Sequence, residues 1–156
     1  MTTLPPPTVT LDTVDSAPVL RPKWPAVTIL SLGVAVALGS VMPWATIVTG
    51  FGTIDFAGTV GDGQLTIALG VLLGVLGAIA LHDRSRPMAW AWALAAVAGI
   101  GSAGIGINAF VNITDAIDAD DLVTAQVGVG LLLVIAASAA AVVMAVVGHS
   151  ARGPQQ

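Results

Sequence analysis

The sequence predicts an all-α, polytopic membrane protein: a four-transmembrane-helix bundle with a small extracytoplasmic loop that resembles a β-hairpin. Three observations support this fold class. Apolar residues make up 56% of the chain and charged residues only 9%, which leaves too little polar surface for a soluble domain of 156 residues. Four long stretches contain no charged residue and no histidine. The basic residues all lie on one side of these stretches, as in an oriented membrane protein.

Each uncharged stretch is long enough to cross a membrane. The four stretches are Trp24 to Val48, Gln64 to Leu81, Pro87 to Thr114 and Leu122 to Gly148. At about 1.5 Å per residue, each helix can cross a hydrocarbon core of about 30 Å. The stretches lack the period-two alternation of a membrane barrel, so helices are the assignment that satisfies their backbone groups in lipid. We expect a transmembrane domain over residues 24–148, with spans at about 24–48, 64–82, 87–113 and 124–148.

Two short tails flank the predicted membrane domain. Residues 1–23 contain five prolines and no apolar period, which indicates a disordered, Pro-rich cytoplasmic tail. Residues 149–156 are expected to form a second cytoplasmic tail. The first span is interpreted as a signal anchor, and a cleavable signal peptide is the competing interpretation.

The distribution of charge predicts the orientation in the membrane. The two tails and the turn from His82 to Arg86 hold five basic residues and three aspartates, a balance of +2. The other two loops hold six aspartates and no basic residue, which completes the overall charge of −4. The positive-inside rule therefore places both termini in the cytoplasm and both acidic loops outside a plasma membrane. This distribution gives no reason to expect a nucleic-acid partner.

The sequence contains few groups that could carry chemistry. It has no cysteine, which removes disulfides, thiolate metal sites and cysteine nucleophiles. No ionisable group lies at mid-depth in a span, and no phosphate-binding or hydrolase motif is present. His82 and His149 both lie at the cytoplasmic boundary, but two histidines without a third ligand do not indicate a zinc site. We expect no enzymatic activity, no catalytic residue, no metal and no cofactor.

The first external loop carries a hairpin pattern. Two short β-prone runs, Thr46 to Thr49 and Thr53 to Phe56, flank a Gly-Phe-Gly turn. Because an isolated hairpin is marginally stable in water, Phe51 or Phe56 is expected to tuck against the helices or the headgroups. A mobile glycine-rich loop is the alternative.

Two acidic features of the loops can be interpreted either as binding sites or as structural elements. Asp62 precedes the second span and fits the N-cap of a helix, or alternatively a contact with a cation or partner. The segment Asp115 to Asp121 could continue the third span as a surface helix. Its spacing does not match an EF-hand, so a solvated acidic cap is favoured over a calcium site.

Tryptophans mark the predicted ends of the spans. Pro43 and Trp44 lie near the outer end of the first span, where the proline would end or kink the helix and the tryptophan would lie at headgroup level. Trp24, Trp90 and Trp92 are expected to do the same at the cytoplasmic boundary.

Small residues recur at four-residue spacing within the spans, as in helices whose backbones approach closely. Gly70, Gly74, Gly99 and Gly106 are therefore candidate helix-packing residues. Asn108 is the strongest polar group within a span, and we expect it to pack between helices through hydrogen bonds. The same is expected of the following hydroxyl residues: Thr28, Ser31, Ser40, Thr66, Ser102 and Ser138.

Three short motifs resemble those of a group of uncharacterised small actinobacterial integral membrane proteins. The motifs are Met42-Pro43-Trp44, Gly61-Asp62-Gly63 and Gly128-Val129-Gly130-Leu131. The resemblance covers about residues 25–148, and Leu132 stands where that group often has tryptophan. It implies a four-span plasma-membrane protein and no particular mechanism.

These patterns lead to two functional hypotheses. The first is a non-enzymatic scaffold or accessory subunit, with helix faces for packing and Phe51, Phe56 and Asp62 for binding a partner. Its expected partners are the lipid bilayer and either another membrane protein or a second copy of the chain. The alternative is a small oligomeric channel or transporter-like protein, in which Asn108, Ser102 and the acidic loops form an entrance. Lipid binding between the helices is compatible with both.

Overall fold

The computed structural model describes residues 23–49, 51–82, 89–118 and 124–150. These residues form four long helices and a small sheet. In chain order the elements are α1 (Trp24–Val41), β1 (Pro43–Thr49), β2 (Gly52–Ala57), a 3-10 turn (Gly58–Val60), α2 (Gly63–His82), α3 (Ala89–Asp118), β3 (Thr124–Val127) and α4 (Val129–Ser150).

The helices close into a ring in which each helix packs against two neighbours. Helix α1 contacts α2 and α4, and α3 contacts the same two helices from the other side. Within the described residues, four helices are long and apolar enough to cross a membrane. The predicted four-helix arrangement is confirmed, but the chain is mostly rather than wholly helical because it also contains the sheet.

The first helix ends earlier than the predicted span, which extended to residue 48. Helix α1 stops at Val41, and Met42 has φ −72° and ψ 163°, an extended conformation. The residue before a proline is pushed out of the helical region, and Pro43 has no N–H to continue the ladder. The β-branched run after Trp44 then continues as strand β1.

The sheet confirms the predicted hairpin and adds a strand to it. Strand β1 lies between β2 and β3, and both pairings are antiparallel. The prediction that residues 124–127 begin the fourth span was wrong, because these residues form β3. Since β1 follows α1 directly and β3 leads directly into α4, the packing of α1 on α4 brings the two strands side by side.

Helix α3 extends beyond its neighbours at the sheet end of the bundle. Ser102 contacts Ser138, so in this antiparallel pair Val111 lies level with Val129, where α4 begins. The residues after Val111 therefore extend about 10 Å further, at 1.5 Å per residue. Ile113 from this extension and Val127 of β3 both pack against the cluster that Trp44 forms with Leu131 and Val134. We predicted that residues after the third span continue it as a surface helix, and this prediction is confirmed as far as Asp118.

The predicted tails and the turn fall mostly outside the described residues. Of the tail at 1–23, only Lys23 is described, and the turn at 83–86 is not described. Helix α4 continues through Ser150, so the second tail is shorter than predicted.

Candidate functional site

The candidate site is the cap sheet, formed by strands β1, β2 and β3 at one end of the bundle. Trp44 fastens this sheet to the helices. Its side chain is only 6% exposed, and its indole N–H donates a hydrogen bond to the Gly39 carbonyl oxygen at 3.1 Å. Trp44 is therefore enclosed by the protein itself, and its predicted level at the headgroups stays a prediction. The strand and turn that follow α1 cover the ring, and the sequence pattern of a helix end does not reveal such a cover.

Glycines let the backbones around Trp44 approach one another closely. The Gly128 N–H donates to the Trp44 carbonyl oxygen at 2.7 Å, and the Gly58 N–H donates to the Met42 carbonyl oxygen at 3.2 Å. A Cβ at Gly58 would lie 2.6 Å from the Ser40 carbonyl oxygen, and one at Gly128 would lie 2.6 Å from the Pro43 carbonyl carbon. No side chain fits at either position without a shift of the backbone.

The same close contact involves the glycine motifs that precede α2 and open α4. A Cβ at Gly63 would lie 3.0 Å from the Gly58 Cα, and one at Gly130 would lie 2.6 Å from the Gly39 carbonyl oxygen. The Pro-Trp, Gly-Asp-Gly and Gly-x-Gly motifs thus belong to one junction. In this structure they lie together where the cap sheet meets the bundle.

The strand register gives the cap sheet an apolar face and a polar face. Ala45 pairs with Phe56 and Val127, and Ile47 pairs with Ile54 and Ala125. Because directly paired residues share a face, these side chains form the apolar face.

The polar face is formed by the positions between them. Thr46 lies between Asp55 and Gln126 in the register. Its hydroxyl donates to the Asp55 carboxylate at 2.7 Å. Val48 pairs with Thr53 and Thr124 and is an apolar residue on this face. Along β2, where polar and apolar residues alternate from Thr53 to Phe56, the two sides of the sheet differ in chemistry.

Strand β2 is the exposed edge of this sheet. Every residue from Gly52 to Phe56 is exposed. The exposed fraction is 52% for Ile54 and 43% for Phe56, and Phe51 at the turn is fully exposed. The prediction that Phe51 packs against the helices was therefore wrong, whereas its alternative, contact of Phe51 or Phe56 with the headgroups, stays a prediction. Support comes from β3 and Trp44 instead.

The three predicted partner-binding residues are spread out rather than clustered. Phe51 lies in the turn that precedes β2 and Phe56 lies near the other end of this strand, so the strand separates them by most of its length, about 13 Å from Gly52 to Phe56. Asp62 is exposed and occupies the N-cap position of α2, where its carbonyl oxygen accepts the N–H groups of Leu65 and Thr66 at 3.0 and 3.3 Å. The continuous feature that connects the two phenylalanines is the edge of β2.

The predicted helix-packing glycines lie at different interfaces of the bundle. Gly70 and Gly74 face Gly33 of α1, and a Cβ at Gly70 would lie 2.8 Å from the Ala37 nitrogen. Gly99 faces the Ser138 carbonyl oxygen of α4, and Gly106 faces Ile135 of the same helix. Gly70, Gly99 and Gly106 thus lie where a neighbouring helix leaves little room for a side chain, whereas a Cβ at Gly74 would make only an ordinary contact with Leu30 Cδ1 at 3.9 Å.

Asn108 does not take the packing position that we expected. Its side chain is exposed, and a Cβ at Gly104, one turn earlier, would meet nothing within 4 Å. Both residues therefore lie on the outer surface of α3. The presence of an amide in a span does not reveal which way the helix is rotated about its axis, and here the buried face of α3 is the one that carries Ser102 and Gly106.

Two pairs of hydroxyl groups do connect the helices. The Ser40 and Thr66 hydroxyls lie 2.6 Å apart between α1 and α2, and Ser138 donates to Ser102 at 2.9 Å between α4 and α3. All four side chains are fully buried. Thr28 and Ser31 instead bond the carbonyls one turn earlier, at 2.8 and 3.0 Å, so the prediction of interhelical bonds was wrong for these two.

Two glycines that the sequence did not single out also make close contacts. A Cβ at Gly77 would lie 2.6 Å from the Leu30 nitrogen, and one at Gly148 would lie 2.6 Å from ring atoms of Trp92. Trp92 is buried, whereas Trp24 and Trp90 are about half exposed. The belt prediction was therefore wrong for Trp92, whose ring fills the space that Gly148 leaves.

The opposite end of the bundle offers little chemistry. A small cleft there is lined by apolar residues, among them Ile29, Leu76, Ala91 and Trp92. Within the part of the chain that the structure describes, no three His, Cys, Asp or Glu side chains come together as metal ligands. We therefore take the cap sheet as the candidate functional surface.

Comparisons of the chain with protein-family models, with curated proteins and with solved structures found no match. The resemblance to actinobacterial membrane proteins stays a prediction, and function has to be argued from the geometry of the chain itself.

Proposed function

We propose that the protein is a non-enzymatic scaffold or accessory subunit of the plasma membrane that binds a partner through its cap sheet. In this proposal both termini lie in the cytoplasm and the cap sheet lies outside. The orientation is supported by the charges, because residues 24–83 and 87–151 contain no lysine or arginine. The two acidic loops between the spans would then face outward.

The observation that carries the proposal is the exposed edge strand on a firmly held sheet. Natural proteins protect edge strands with lysine, proline, bulges or a covering element. Strand β2 contains neither lysine nor proline, its pairing with β1 is irregular between Pro43 and Ala45, and every residue from Thr53 to Phe56 is exposed. The junction around Trp44 meanwhile fixes the position of this strand relative to the helices. An exposed edge strand is well suited to binding another protein by strand addition.

Native mass spectrometry after mild detergent extraction from the native membrane tests this proposal. We expect a complex of the chain with another protein, and we expect Ile54→Ser combined with Phe56→Ser to weaken it. Val129→Ser serves as the control, because Val129 is exposed but lies outside β2. A strictly monomeric species with no co-purifying protein would contradict the proposal.

The channel or transporter alternative has less support. Ser102 is bonded to Ser138 inside the packed bundle, whereas Asn108 lies on its outer surface. In a single chain these two residues do not face a common passage. Liposome flux tests the alternative. Flux above that of empty vesicles, reduced by Asp118→Asn or Asp121→Asn, would favour it over the scaffold.

A further inference from the structure

We infer that β2 binds an extended segment of a partner protein as a fourth strand, and that this segment places a lysine or arginine beside Asp55. The inference rests on the proposed function and specifies its partner. The segment would alternate apolar and basic residues, because the two faces of β2 differ in chemistry.

The first step of the argument concerns the backbone. One edge of β2 is paired with β1, with partners from Ala57 to Gly52. Strand β2 is the last strand in the sheet order, so its other edge has no strand partner among the described residues. An edge strand presents a row of N–H and C=O groups, and an added strand can pair with them by main-chain hydrogen bonds.

The second step concerns the side chains that an added strand would meet. Ile54 and Phe56 extend from the apolar face, and Thr53 and Asp55 extend from the polar face. A strand laid along β2 would place its own side chains alternately beside these two sets. An apolar residue would contact Ile54 or Phe56, and the next residue would lie near Asp55.

The third step concerns charge. Asp55 is exposed, and its carboxylate accepts a hydrogen bond from the Thr46 hydroxyl at 2.7 Å. A carboxylate has about four acceptor positions on its two oxygens, so it can still accept from a cation. Asp62 is exposed at the same end of the bundle, and residues 24–81 contain no lysine, arginine or histidine. The electrostatic complement of this surface is therefore a basic segment.

A second copy of the chain fits the same edge poorly. Symmetric antiparallel pairing of two β2 strands can be centred on Ile54 or on Asp55. Centred on Asp55, the two carboxylates would lie directly opposite, where like charges are destabilising. Centred on Ile54, they would be diagonal neighbours two positions apart, at about 7–8 Å, where the two charges still repel each other. The charge of the sheet end thus favours a different protein over a second copy.

The test uses the full-length protein in nanodiscs of zwitterionic lipid, with fluorescent synthetic peptides as probes. The first peptide alternates isoleucine and lysine over eight residues. The second carries glutamate in place of lysine. The third and fourth peptides have the sequence of the first but are N-methylated at alternate residues. The third is methylated along one edge of the extended peptide and the fourth along the other edge. One of the two therefore lacks the N–H groups that would face β2. Empty nanodiscs report binding to lipid alone.

We expect the lysine peptide to bind the protein and the glutamate peptide to bind at least tenfold more weakly. One of the two N-methylated peptides should lose binding, because strand addition needs those N–H groups. Asp55→Asn should weaken the lysine peptide about two- to fivefold, in line with a single cross-strand charge pair. Asp115→Asn is the control and should leave the affinity unchanged, because Asp115 lies on α3.

Several outcomes would overturn the inference. If the two N-methylated peptides bind the protein equally well, the peptide does not pair with β2 through its backbone. If Asp55→Asn binds the lysine peptide as tightly as the wild type does, the peptide does not place a lysine beside Asp55. A disulfide between two copies carrying Thr53→Cys would show that a second copy occupies the edge. If a native partner co-purifies but no peptide binds, strand addition fails while the proposed function stands. If neither a partner nor a peptide binds, both fail. Unchanged near-UV circular dichroism shows that the variants are folded.

Discussion

The indole of Trp44 and the carbonyl of Gly39 are joined by a 3.1 Å hydrogen bond across the junction between α1 and β1. Gly39 lies in the last turn of α1, where carbonyl groups lack helical partners. The bond therefore satisfies a buried carbonyl of the helix and orients the first residues of the cap sheet. This single contact couples the end of a membrane-spanning helix to the surface that we propose for binding.

Substitution of Trp44 should loosen the cap sheet before it unfolds the bundle. Trp44→Phe keeps a ring but loses the hydrogen bond, and we expect a loss of about 1 kcal/mol. Trp44→Ala also leaves a cavity and should cost about 3 to 5 kcal/mol. Hydrogen exchange of the β1 and β2 amides measures the effect. Equal protection in Trp44→Ala and the wild type would show that Trp44 does not hold the sheet.

The Ser40 and Thr66 pair should show only weak coupling. The Ser40 hydroxyl also lies 2.7 Å from the Val36 carbonyl oxygen, and that of Thr66 lies 2.9 Å from the Gly63 carbonyl oxygen. Two hydroxyl protons serve three contacts, so each residue keeps a backbone acceptor when its partner is removed. A double-mutant cycle with Ser40→Ala and Thr66→Ala should give about 0.6 kcal/mol, the typical value within membranes. A coupling above about 2 kcal/mol would contradict this assignment.

Gly33 and Gly104 form a matched pair for testing the helix packing. A Cβ at Gly33 would lie 2.7 Å from the Gly70 carbonyl oxygen, whereas one at Gly104 would meet nothing within 4 Å. We expect Gly33→Ala to destabilise the bundle by at least about 1 to 3 kcal/mol through overpacking. Gly104→Ala should be neutral or stabilising by up to about 1 kcal/mol, from helix propensity. Unfolding in mixed detergent micelles compares the two, and equal stabilities would show that α1 and α2 do not approach as described.

The proposed orientation can be tested by labelling, because the chain has no cysteine of its own. Cysteines introduced at Thr53 and Ala119 should react with a reagent that does not permeate intact cells. Cysteines at Ser85 and Ser150 should react only after the cells are opened. The reverse pattern would place the cap sheet in the cytoplasm and remove it as an external binding surface.

The sequence predicts the helices well because their signal is local. A long uncharged stretch must be helical in lipid, and the two β-prone runs around Phe51 indicate a hairpin within one loop. Strand β3 has no such signal, since Thr124 to Val127 continues without a break into an apolar stretch. Its partner β1 lies far away in the chain and reaches it only because α1 packs on α4.

The surroundings of single polar and aromatic residues were harder to predict. Trp44 at a helix end has the pattern of a headgroup tryptophan, and its burial depends on Gly58 and Gly128 arriving from other segments. Asn108 and Ser102 lie in the same span, yet one is exposed and the other buried. Helix rotation decides between these outcomes, and a nearly uniform apolar composition gives little indication of rotation.

Site-specific photo-cross-linking in the native membrane tests the role of β2 most directly. Phe56 is replaced by p-benzoylphenylalanine, and Val143, which is exposed on α4, is replaced in the same way as the control. We predict an adduct with a second, different protein from position 56 and none from position 143. Adducts at position 56 that contain only lipid or a second copy of the chain would contradict the account.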